Sequence, residues 1–179
     1  MILPAEYPFH RDSTSLFIML LPLIIRKLRS FGRLSRFEKV WLLPAWLLLG
    51  IVRLLILLVP FRVLAAHLGE PGGAVAWVPV LGAREELMAV SIAKIVQSAA
   101  RNTPWKSNCL PQALVARTLL GYYDVPYALF FGVTHNASGT MLNAHAWVTA
   151  GRVRVTGGAG FGRFTVVGCF VSERVDFIG

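Results

Sequence analysis

Apolar residues are spaced for helices through roughly the first two thirds of the chain, and for strands after that. Ser13 to Ser30 reads as one helix. A second is expected to start at Ser35-Arg36-Phe37-Glu38, whose S-x-x-E form is a capping box. It runs towards Val59, with a kink or break expected at Pro44 and a stop at Pro60. Leu87, Val90, Ile92, Ile95 and Val96 form the stripe of a helix from about Arg84 to Ala100, and Leu110, Leu114, Val115, Leu119 and Leu120 that of a helix from Cys109 to Gly121. Strand-like runs follow at Tyr127 to Val133, Ala144 to Ala150, Val153 to Thr156 and Phe164 to Val171. They are separated by Asn136, Gly139, Gly151 and the Gly157 to Gly162 cluster. Helices first and strands afterwards predict an α+β fold with an antiparallel sheet.

Pro71, Gly72, Gly73, Pro79 and Gly82 make Glu70 to Gly82 a loop by composition. The expected organisation is therefore a hydrophobic, basic helical region over 1–69, a linker over 70–82 and a core over 83–179. With 179 residues, 55% hydrophobic and 15% charged, the chain can bury a core, which excludes disorder and fibrous classes. The two cysteines, Cys109 and Cys169, provide no disulfide framework, and no Cys/His cluster has zinc-like spacing, so no metal and a reducing compartment are expected.

Charge changes this picture in one place. The net charge is +9, and Arg26, Lys27, Arg29, Arg33, Arg36 and Lys39 fall in one stretch opposed by Glu38. Such a patch is either a solvated flank of a hydrophobic helix or a surface for acidic peptide or lipid headgroups. Trp and Phe residues lie in apolar runs rather than interleaved with cations, so nucleic acid is not an expected partner. Val40 to Phe61 has the length of a membrane span, but Arg53 near its middle disfavours spanning. Met1 to Arg11 lacks a cationic signal region. A cytoplasmic chain with a membrane surface as an additional contact is expected.

The candidate chemistry begins at Cys109, where a loop becomes a helix behind Ser107 or Asn108 as N-cap. The free backbone donors and dipole of a helix start favour a thiolate and can hold an oxyanion. A nucleophilic thiol needs a base, and Ala144-His145-Ala146-Trp147-Val148 places a histidine in a strand-like run. Alternation puts His145 and Trp147 on one face, and thiol and imidazole meet if the Cys109 helix crosses that face. Trp105 and Asn108 are candidates for the substrate groove and the oxyanion. Cys169, between apolar neighbours, reads as core. The glycine cluster at 157–162 precedes a strand rather than a helix, so it reads as a hairpin loop that can cover the cleft and not as a phosphate loop.

The blocks Ser107-Asn108-Cys109-Leu110-Pro111-Gln112-Ala113-Leu114, Leu119-Leu120-Gly121-Tyr122, Phe130-Phe131-Gly132-Val133 and Ala144-His145-Ala146-Trp147-Val148 resemble the catalytic region of the lasso-peptide biosynthesis B proteins. These are leader peptidases of the transglutaminase-like superfamily. Leu34 to Leu68, with Arg36, Glu38, Trp41 and Pro60-Phe61-Arg62, resembles that family's hydrophobic lead-in. The resemblance implies hydrophobic helices followed by a transglutaminase/papain-like core with its nucleophile helix packed on the sheet. It implies a cysteine peptidase that removes the leader of a ribosomally made precursor before a partner cyclase closes the macrolactam. Cys109 would be nucleophile, His145 base, and Trp105, Asn108 and Trp147 substrate contacts, with no cofactor.

The implied partners are the precursor, a separate leader-recognition protein and an asparagine-synthetase-like cyclase. The family's orienting Asp has no counterpart here, because the first carboxylates after His145 are Glu173 and Asp176. Thr156, a backbone carbonyl, a folded-back Asp176 or a bare dyad are the alternatives. A non-catalytic scaffold of the same fold and an acyltransferase or amidase are the competing functions.

Overall fold

The computed structural model describes residues 32, 34–74, 78–135, 141–158 and 160–172. The chain divides into two units, Met1–Ser35 and Arg36–Gly179. The expected helix at 13–30, most of the basic cluster, Asn136, Gly139, Trp77, Glu173 and Asp176 lie outside the described residues.

In the second unit, α1 (Arg36–Leu58) runs unbroken through Pro44, where a kink or break was expected. Proline removes one helix donor, but here the helix is held by packing rather than by its own bonds alone. Phe37, Trp41, Ala45, Trp46, Leu49, Val52 and Ile56 face the core. Glu38, also on this side, is buried and pairs with Lys94 at 3.6 Å. The opposite face leaves Val40, Leu43, Leu47, Ile51, Leu54 and Leu58 exposed at three- or four-residue spacing. Among the described residues, α1 is the helix long and apolar enough to cross a membrane, with a mean hydropathy of 2.3.

A short α2 (Phe61–Ala65) follows Pro60. Then Glu70–Gly73, expected as linker, forms strand β1 and pairs antiparallel with β5. Prolines and glycines are tolerated in a strand at a sheet edge, which is where β1 lies. Helices α3 (Ala83–Ala100) and α4 (Cys109–Tyr122) come next. They are followed by β2 (Ala128–His135), β3 (Leu142–Ala150), β4 (Val153–Arg154), a 3₁₀ turn at Phe161–Arg163 and β5 (Thr165–Val171).

The sheet is antiparallel, in the order β1-β5-β2-β3-β4. Side-chain alternation gives it two different faces. Leu129, Ala146, Val148 and Ala150 join the buried residues of α1, α3 and α4 in the main core. Ala128, Phe130, Trp147, Cys169 and Val171, with Phe164 and Val166, form a second cluster on the other face. Cys169, 2% exposed, is a core residue of that cluster.

Candidate active site

The loop before α4 is tied down by short polar contacts. The Thr103 hydroxyl lies 3.0 Å from the Ala100 and Trp105 carbonyls and 2.9 Å from the Ser107 hydroxyl. Gln112 Nε2 donates back to the Ser107 carbonyl at 2.6 Å. Asn108 takes the N-cap position in extended backbone, yet its side chain makes no capping bond. The first-turn N–H groups at Cys109 and Leu110 are therefore not consumed by a side-chain cap. Cys109, the first residue of α4, is half-buried.

Trp105, four residues before the thiol, is half-buried. Its ring packs on Trp46 at 4.7 Å and against Gly50 of α1, and its Nε1 is buried without a partner. Asn108 is exposed.

His145 stands in β3 opposite Gly132 and is half-buried. Its ring stacks on Phe164 (4.8 Å, 29°) and on Trp147 (5.8 Å, 25°), while Trp147 stacks on Phe130. Its Nε2 is 3.0 Å from the Gly157 carbonyl. A carbonyl only accepts, so Nε2 carries a proton, and Nδ1 is the nitrogen available as a base. A backbone carbonyl, one of the expected alternatives, thus holds the ring at Nε2. Thr156 does something else: its buried hydroxyl accepts the Val148 N–H at 3.1 Å. With the Val155 and Thr156 N–H groups on the Val148 carbonyl, this fixes the turn that delivers Gly157. The glycine run expected as a cover for the cleft therefore begins as part of the histidine's support.

Gly132 has its own reason to be glycine, since a Cβ there would come within 2.8 Å of the Trp147 ring and 2.9 Å of Phe164. Phe164 and Gly157 escaped sequence reasoning. Phe164 looked like an ordinary strand start, and a carbonyl acceptor has no residue signature.

Alternation correctly placed His145 and Trp147 together, but α4 does not cross their face. It packs over Ala146 and Val148 on the reverse side, and the face with His145 is lined by Trp147 and Phe164. The covered face is the one with small and aliphatic side chains, which admit a helix more closely than an aromatic stack does. The hydrogen bond of the imidazole on this face is to the Gly157 carbonyl. Arg117 Nε donates to the Tyr127 hydroxyl at 2.9 Å, anchoring the second half of α4 at the start of β2. From that anchor, the helix back to Cys109 spans about 12 Å, and β2 forward to Gly132 spans about 16 Å. Among the described residues no group of three or more His, Cys, Asp or Glu is placed to hold a metal.

A family profile described as the transglutaminase-like superfamily matches residues 55–169, well over half of the chain, and the chain belongs to that superfamily. The mixed helical and antiparallel architecture is consistent with a cysteine peptidase type of fold. No curated protein and no solved structure is matched.

Proposed function

We propose that the chain is a cysteine peptidase that removes the leader from a ribosomally made lasso-peptide precursor, before an asparagine-synthetase-like cyclase closes the macrolactam. The observation that supports it best is the imidazole held by the Gly157 carbonyl with Nδ1 left as base, in a superfamily member whose α4 begins with a cysteine. In this reading Nδ1 takes the Cys109 proton, the thiolate attacks the scissile carbonyl carbon, and first-turn N–H groups of α4 hold the oxyanion. The imidazolium then protonates the leaving amine, and water hydrolyses the thioester. Asn108, Trp105 and Trp147 are the proposed substrate contacts. Precursor, a separate leader-recognition protein, the cyclase and a membrane surface are the proposed partners, and the cytoplasm the proposed site of action.

The test is precursor cleavage followed by mass spectrometry. Cys109→Ala and His145→Ala abolish cleavage with the fold intact, and Cys169→Ala, if it folds, retains it. Cleavage by all three variants would refute the peptidase reading. A second reading, a scaffold of the same fold that binds precursor or cyclase without chemistry, is favoured by two observations: α4 packs on the sheet face away from His145, and the ring is held by a neutral carbonyl, which stabilises an imidazolium less than a carboxylate does. Cleavage also separates the peptidase from an acyltransferase or amidase.

A further inference from the structure

On the His145 face, one step further along β3, lies a cavity of about 340 Å³. Its floor is aromatic: Phe130 and Trp147 stacked at 5.4 Å, with Phe164 beside them. Val78 and Val166 add aliphatic wall. The rim is cationic, because Arg152 and Arg154, both exposed, line it from the β3–β4 hairpin. Thr149 and Arg154 are direct cross-strand partners, so they share a face, and Arg152 joins the lining from the turn between the strands. Thr149 is also part of the lining, and its hydroxyl is buried without a hydrogen-bond partner. Such an unpaired hydroxyl beside a cavity is a polar group that a small shift of the wall can offer to a ligand. Trp147 and Phe164 serve twice, as walls of this cavity and as the two rings stacked on His145.

An apolar floor with Arg152 and Arg154 in its lining suits one ligand class. A large apolar or aromatic group fills the floor, and a carboxylate attached to it meets the arginines. We propose that this cavity is a substrate subsite, taking an aromatic or large aliphatic side chain with a carboxylate one residue away. Resting on the peptidase reading, it makes the preferred peptide apolar and acidic near the bond to be cut. The cavity lies beside the imidazole rather than under it, so the side chain it receives belongs to a neighbour of the scissile residue.

Binding can be read without catalysis. The probe is 3-phenylpropanoate, compared with its neutral amide 3-phenylpropanamide, titrated into the full chain and followed by ¹H–¹⁵N NMR of the arginine Nε–H and tryptophan indole signals. The expected result is carboxylate binding about tenfold or more tighter than the amide, with shifts at Arg152, Arg154 and Trp147. That preference should vanish in Arg152→Gln/Arg154→Gln and survive in Arg84→Gln, which removes an exposed charge elsewhere. Equal binding of acid and amide, shifts confined to other regions, or equal loss in Arg84→Gln overturns the subsite. Failure of the peptidase reading looks different: the probe binds as expected, yet no precursor is cleaved. Where precursor is cleaved, the double arginine variant should raise KM for a peptide with an aromatic–acidic pair and leave a peptide with an aromatic–amide pair unchanged.

Discussion

Gly157 lies so close to Trp147 that a side chain at 157 would occupy the space of the Trp147 Cβ. This contact brings the Gly157 carbonyl to His145. The residue also has φ of +92°, a conformation that side chains resist by roughly 1–2 kcal/mol. Gly157→Ala should therefore lower the melting temperature. It should lower precursor cleavage by more than the loss of folded protein explains, because the carbonyl must move off Nε2. A variant with the wild-type melting point and full cleavage would mean that the imidazole is oriented by something else.

Thr156 makes a second, separable contribution. Its hydroxyl is the acceptor for the buried Val148 N–H, and leaving such a donor unpaired costs about 1–3 kcal/mol. Thr156→Val keeps the shape and removes the acceptor, so chemical denaturation should show a loss in that range. Thr156→Ser, which keeps the hydroxyl, should recover most of it. Equal stability of the Val and Ser variants would remove Thr156 from the account of the turn.

These two positions show where sequence reading ends. The α+β order, the antiparallel strands and the shared face of His145 and Trp147 followed from period and alternation alone, since these depend on backbone geometry. Which face α4 covers did not, because apolar residues lie on both sides: Ala146 and Val148 on one, Trp147 and Phe130 on the other. The edge strand β1 was hidden by Pro71, Gly72 and Gly73, which look like a loop until a partner, β5, is known. The support of His145 was hidden more deeply, because a main-chain oxygen can belong to any residue.

Coupling between thiol and imidazole can be measured without the precursor. Cys109 is half-buried and Cys169 is 2% exposed, so iodoacetamide should label Cys109 in the folded protein and spare Cys169. If His145 draws off the thiol proton, His145→Ala should slow Cys109 labelling several-fold at neutral pH, while a control thiol reagent insensitive to the base reports unchanged access. An unchanged rate would place the two groups out of contact in solution and strengthen the scaffold reading.

The outward face of α1 bears on membrane contact. Val40, Leu43, Leu47, Ile51, Leu54 and Leu58 are each at least 50% exposed, and Phe61 extends the row past Pro60. The inward face of the same helix is part of the main core, so a spanning orientation would strip Trp41, Ala45 and Leu49 from their packing. A helix lying in the interface keeps both sets of contacts, and Arg36 and Arg62 near its two ends suit anionic headgroups. The full chain should float with vesicles containing phosphatidylglycerol and float less with pure phosphatidylcholine, the difference shrinking as salt rises. Leu43→Gln, Leu47→Gln and Ile51→Gln together should abolish flotation without lowering the melting temperature, because these side chains point away from the core. Retained flotation in the triple variant would assign lipid contact to another surface, and a lowered melting temperature would show that the row is covered by protein.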